Sequence, residues 1–97
     1  MKYAYPAIFR PEGNGFSIYF PDIGMGGTQG DNIVDGLEMA HDFLLGAMIM
    51  LENSNGNIPN PSEITALELG EGHFASFISV DTAKTKAITN EREGILV

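Results

Sequence analysis

This chain has no cysteine and no tryptophan, and only five of its 97 residues are lysine or arginine. Without a thiol there is no disulfide framework, no cysteine nucleophile and no cysteine-ligated zinc. Non-specific nucleic-acid binding depends on basic side chains displacing the counterions condensed on phosphate. With only Lys2, Arg10, Lys84, Lys86 and Arg92 to supply them, direct binding to DNA or RNA is not expected. Long apolar runs are missing too: residues 43 to 51 are interrupted by Gly46 and fall short of the roughly 20 residues a membrane-spanning helix needs. The first residues show neither the basic start nor the apolar stretch of a secretory signal, so the expectation is a cytoplasmic protein with no membrane association.

What the chain does have is acid. Thirteen Asp and Glu give a formal charge of -8, while 43% hydrophobic and 19% charged residues are ordinary proportions for a folded domain. This length suits a single core. An acidic surface repels phosphate and attracts a basic protein, because complementary fields steer encounters.

Alternation predicts a strand over residues 2 to 9, apolar on both faces and therefore central, although Pro6 has no N–H to give a ladder. Pro11 to Gly15 is dense in turn formers, and Phe16, Ser17, Ile18, Tyr19 and Phe20 complete a hairpin. A short third strand is expected near Met25 to Gln29, closing at Gly30. Asp31 stands where an N-cap belongs, opening a helix over residues 31 to 53 whose apolar stripe is Ile33, Leu37, Ala40, Leu44, Ala47, Met48 and Leu51. Gly36 and Gly46 each cost a helix interior about 1 kcal/mol relative to Ala, which close packing against the sheet would offset. Ile58 to Ser62, with two prolines, reads as an extended connector, and Ser62 is placed to cap a short helical turn ending at Leu67. Phe74 to Val80, again apolar on both faces, predicts a strand inside the sheet. The order β-β-β-α-β makes an α+β domain over residues 1 to 81, and residues 82 to 97 lack clear periodicity and read as a tail or linker.

No residue set converges on chemistry. Two-metal nuclease sites need acids from neighbouring elements around Mg²⁺, yet the first strand carries none and only Asp22, Asp31, Asp35 and Asp81 lie near element ends. His41 and His73 form no ligand pair at metal-binding spacing, and Ser17, Ser54, Ser62, Ser76 and Ser79 lack a nucleophile-elbow context. Gly24 to Gly30 fails as a phosphate cradle, because Gln29 replaces the third glycine of the fingerprint and Asp31 would repel the ligand. Met25, Met39, Met48 and Met50 read as core or interface fillers. No catalytic residue, metal or cofactor is assigned. The candidate partner-binding residues are the acids Asp35, Glu38 and Asp42 on the outer helix face, with Glu12 and Asp22 on nearby loops.

The strand Tyr5-Pro6-Ala7-Ile8-Phe9, the hairpin ending in Phe20-Pro21-Asp22, the run Thr28-Gln29-Gly30-Asp31 into the helix and the connector Ile58-Pro59-Asn60-Pro61-Ser62 together resemble the HicB-like antitoxin family. That resemblance covers residues 1 to 81. It implies a partial ribonuclease-H-like fold, three antiparallel strands with a helix and a fourth strand, that has lost nuclease activity. It also implies an antitoxin that binds and masks HicA, a small basic ribonuclease toxin, and that assembles as a homo-oligomer. Ile23-Gly24-Met25-Gly26 departs from the Leu-Pro-Gly-Cys-type run frequent in the family, and residues 82 to 97 are too few for the DNA-binding module that many members carry. The alternative is a catalytically inactive ribonuclease-H-like module that self-assembles or binds nucleic acid.

Overall fold

The computed structural model describes residues 1–83. Among them, strands β1 (Lys2–Glu12), β2 (Gly15–Tyr19) and β3 (Gly27–Gly30) precede helix α1 (Ile33–Asn53), and a 3-10 turn at Ile64–Ala66 leads to strand β4 (Phe74–Asp81). All neighbouring strands are antiparallel, in the order β3-β2-β1-β4, so the α+β reading and its β-β-β-α-β sequence hold.

β1 is central, as its two apolar faces required, and it runs on through Pro11 and Glu12. The turn shrinks to Gly13 and Asn14, with Glu12 opposite Gly15 and Gly13 at φ 61°, a conformation a Cβ would resist. Pro6 fits because β2 pairs with β1 only from Ile8 to Glu12. Among the described residues only β4 flanks β1 at Pro6, so one side there has no ladder for a missing N–H to break.

β4 is not inside the sheet as expected but at its edge. Ile78 and Val80 point into the core, while Phe77 on the opposite face is 53% exposed. A strand with apolar residues on both faces looks the same in sequence whether it has one neighbour or two.

The helix begins one residue later than the cap reading placed it. Asn32 is the N-cap and accepts from the Asp35 N–H at 2.8 Å, while the Asp35 carboxylate accepts from the Asp31 N–H at 2.8 Å. The two side chains satisfy orphan donors reciprocally, as in a capping box, and the Asp35 charge sits favourably at the positive end of the helix. At the other end Gly56 donates to Leu51 and Asn55 to Glu52, with Asn55 in the left-handed region at φ 57°, a Schellman stop.

α1 covers one face of the sheet, burying Ala40, Leu44, Ala47 and Met48 against Tyr5, Ala7, Phe9, Ile18 and Phe20. Phe9 and Phe74, opposite one another in the ladder, stack at 4.9 Å with Phe16 edge-on to both, and Phe20 stacks on Phe43 of the helix at 5.9 Å. The predicted stripe fails in the first turn, where Ile33 and Leu37 are partly exposed and Gly36 is buried in their place. Gly30 explains this: a Cβ there would stand 2.3 Å from the Gly36 Cα, so β3 and α1 touch backbone to backbone, which turns the two flanking side chains outward. Gly46 has no such reason. It is exposed, with nothing within 4 Å of where a Cβ would stand, so the expected packing against the sheet is wrong for this glycine.

Ser62 caps nothing. The residue before the 3-10 turn is Glu63, without a side-chain cap bond, and the Ser62 hydroxyl is spent on Asp22. Thr82, placed in the tail by the sequence, is buried: its N–H donates to the Met1 carbonyl at 3.1 Å and its hydroxyl to Glu52 at 2.9 Å. The rest of the expected tail, from residue 84 onward, lies outside the described residues.

Candidate functional site

The five acids proposed from the sequence do not form one patch. Asp22 follows β2 at the end of the molecule where Leu51, Asn57 and Pro59 lie, beside the C-terminal end of α1. Glu12 lies at the opposite end, because its ladder partner Gly15 abuts Gly30 and Asp31 just ahead of the helix. The 21 residues of α1, rising about 1.5 Å each, separate these ends by roughly 30 Å.

Asp22 is also occupied. Its two oxygens accept from the Ser62 N–H at 2.9 Å and the Ser62 hydroxyl at 2.5 Å, which pins the α1–β4 connector to the exit of β2. Beside it the Tyr5 hydroxyl, reaching across the core, donates to the Pro59 carbonyl at 2.5 Å. Burial, and the negative charge of Asp22 after it, raise the Tyr5 pKa above its ordinary value. Asp22 therefore serves the fold.

Asp35, Glu38 and Asp42 do share a face, since spacings of three and four put them on one ridge of the helix. Asp35 is half-buried in its capping role, whereas Glu38 and Asp42 are exposed. His41 approaches Asp42 at 3.6 Å, and among the described residues no Lys or Arg pairs with either acid. α1 contains neither Lys nor Arg, so Glu38 and Asp42, one turn apart, repel each other by about 0.2–0.5 kcal/mol. Val34 and Leu37, 66% and 39% exposed, flank this ridge with apolar surface. Arg10 lies on the far face of the sheet, over the Tyr19 ring at 5.0 Å. Among the described residues the outer face of α1 is acidic and apolar, while Arg10 stands on the sheet face away from it.

Sequence reasoning missed the apolar half of this surface. It put Ile33 and Leu37 in the core and did not separate Met48, which is buried, from Met25, Met39 and Met50, which are exposed. Met25, Phe43, Gly46 and Met50 border a shallow groove further along the helix. The usable signal was that α1 is apolar on nearly all sides, more than one sheet can cover.

Among the described residues no three His, Asp or Glu side chains are placed to hold a metal ion. No described helix is long and apolar enough to cross a membrane. The distinctive polar cluster elsewhere is Tyr3, Glu52 and Thr82. The Tyr3 hydroxyl donates to Glu52 at 2.7 Å, and this hydrogen bond is the main reason its pKa is pushed up to about 12.

No family model matches the chain. It is 39% identical over 61 residues to antitoxin HicB 1 of Photorhabdus laumondii, a stretch covering 62% of this chain and 39% of the relative. The match thus spans well under half of that relative's length. Among solved structures, a chain of a toxin–antitoxin complex from Streptococcus pneumoniae superposes with a TM-score of 0.78 at 25% identity, over 98% of this chain and 90% of that one. A chain of the HicA3 and HicB3 toxin–antitoxin complex shares the fold with a TM-score of 0.67 at 24% identity, over 81% of this chain and 99% of that one. In sequence the chain is similar to part of a HicB antitoxin, and in fold to chains of toxin–antitoxin complexes.

Proposed function

We propose that this chain is the toxin-binding domain of an antitoxin, and that it masks a small basic ribonuclease of the HicA type by covering the surface with which that enzyme holds RNA. The observation that carries this reading is the outer face of α1, where among the described residues Glu38 and Asp42 lie unopposed by Lys or Arg, beside the exposed side chains of Val34 and Leu37. A ribonuclease must attract phosphate, so its working surface is basic, and an acidic ridge competes for the same field. Apolar neighbours give the contact a dry centre while the charges set direction and encounter rate. Binding a cation also relieves the repulsion between Glu38 and Asp42. The chain itself acts without catalysis, by occupancy. Relatives that sit in toxin–antitoxin complexes support this assignment.

The test is co-expression with a small basic ribonuclease of the HicA type, followed by size-exclusion chromatography. Co-elution of the two folded proteins at micromolar concentration is expected. Separate elution of both, each folded by circular dichroism, would contradict the proposal.

A further inference from the structure

We propose that the notch at Gly46 is an anchor pocket, and that it receives a large apolar side chain which the basic ribonuclease carries within one helical turn of a Lys or Arg. This rests on the antitoxin reading and assigns its tightest point of contact. Gly46 lies in the middle of α1, where glycine costs about 1 kcal/mol relative to Ala. Among the described residues nothing inside the molecule requires it. Its φ is not positive, so the backbone there accepts any side chain, and nothing stands within 4 Å of where a Cβ would be. Gly36, the other glycine of the helix, shows the contrast: there Ile18 and Phe9 stand at 3.2 and 3.4 Å. A glycine at an exposed helix position leaves a notch that a body from outside can enter closely.

The notch opens between apolar walls. Met25, Phe43 and Met50 line it with Gly46 around a volume of about 360 Å³, space enough for a side chain the size of Leu or Phe. Met25 and Met50, 38% and 57% exposed, are unbranched and adapt their shape to what enters. Binding free energy concentrates where an apolar side chain fills a pocket and excludes water. Charge selects the occupant. Asp42 lines the same groove one turn from Gly46, and Glu38 lies one turn beyond it. A second copy would bring those acids, and a formal charge of -8, against their own kind. A partner whose apolar anchor has a Lys or Arg roughly 5–6 Å away meets the notch and the acids together. Anchor and acids then act on different rates: the charges speed encounter, and the filled notch slows escape.

The experiment is binding kinetics of the whole chain with a basic HicA-type ribonuclease, beside the melting temperature of each variant. Gly46→Leu fills the notch from within. It is expected to raise the melting temperature through helix propensity, yet to speed dissociation by about tenfold or more with little change in association. Met50→Ala, which removes a wall and adds no bulk, is expected to speed dissociation by about threefold or more. Complexes of both variants as long-lived as that of the unaltered chain overturn the anchor and leave the antitoxin reading standing. Absence of any complex with the unaltered chain overturns both. A self-associated state of this chain that Gly46→Leu disperses assigns the notch to a second copy, and overturns the proposal as well. Should Gly46→Leu fail to fold, Met50→Ala decides by itself.

Discussion

Asp22 grips Ser62 across 40 residues of sequence with both of its oxygens, at 2.9 Å to the backbone N–H and 2.5 Å to the hydroxyl. The bond pair fixes the connector that carries the chain from the end of α1 back to β4. An acid that stands in the sequence as a free loop charge is thus a structural clasp. Asp22→Ala is expected to destabilise the fold by about 1–3 kcal/mol, the range for losing hydrogen bonds to a charged acceptor. Glu12→Ala, at an exposed hairpin end, should stay within about 0.5 kcal/mol. Urea melts of the two variants check the contrast, and equal midpoints would remove the clasp from the account.

Gly30 of β3 and Gly46 of α1 make opposite predictions. Gly36 already lies against Phe9 and Ile18, and the backbone of Gly30 lies against Gly36, so Gly30→Ala forces β3 and α1 apart and should cost about 1–3 kcal/mol or more. Gly46→Ala meets nothing and should stabilise by about 0.5–1 kcal/mol through helix propensity alone. Thermal melts of both variants test the pair. A destabilising Gly46→Ala would mean that the helix backbone there is under a constraint absent from the structure.

Alkaline pH tests the Tyr3–Glu52 bond. A phenol whose pKa is raised on folding, here from 10.0 to about 12, favours the folded state while it stays protonated. That contribution is fully present below pH 10 and is lost as pH rises through about 12. The stability difference between the unaltered chain and Tyr3→Phe should therefore shrink between pH 9 and pH 12. Urea midpoints measured at both values check it, and a difference that grows with pH would contradict the assignment.

Much of this fold was legible because hydrophobic periodicity reports which residues leave water. β1, β2, α1 and β4 all stand within a few residues of where alternation and the helical stripe put them. Periodicity does not report how many neighbours an element has, which is why β4 was placed inside the sheet and Ile33 and Leu37 inside the core. The cap was readable by spacing: Asn32 and Asp35 stand three apart as a capping box requires, while Asp31 has Val34 at that position. The Asp22–Ser62 bond had no local signal, since a contact between loops 40 residues apart is set by the packing of everything between them. Of the five candidate acids, Glu38 and Asp42 keep the exposed role that the helical period gave them.

Charge on that ridge should act on encounter more than on residence. Glu38→Lys combined with Asp42→Lys is expected to slow association with the basic partner by about tenfold or more and to flatten its dependence on salt, with a smaller change in dissociation. Stopped-flow or surface-based kinetics at about 50 and 300 mM salt read this out. An unchanged association rate would move the contact to another face.

The most direct measurement is titration of this chain into a basic HicA-type ribonuclease while RNA cleavage is followed. Masking by occupancy predicts that cleavage falls in proportion to added chain and is abolished near one equivalent of binding sites, with the Glu38→Lys, Asp42→Lys variant requiring more. Cleavage that continues undiminished at saturating amounts of the folded chain would contradict the antitoxin assignment.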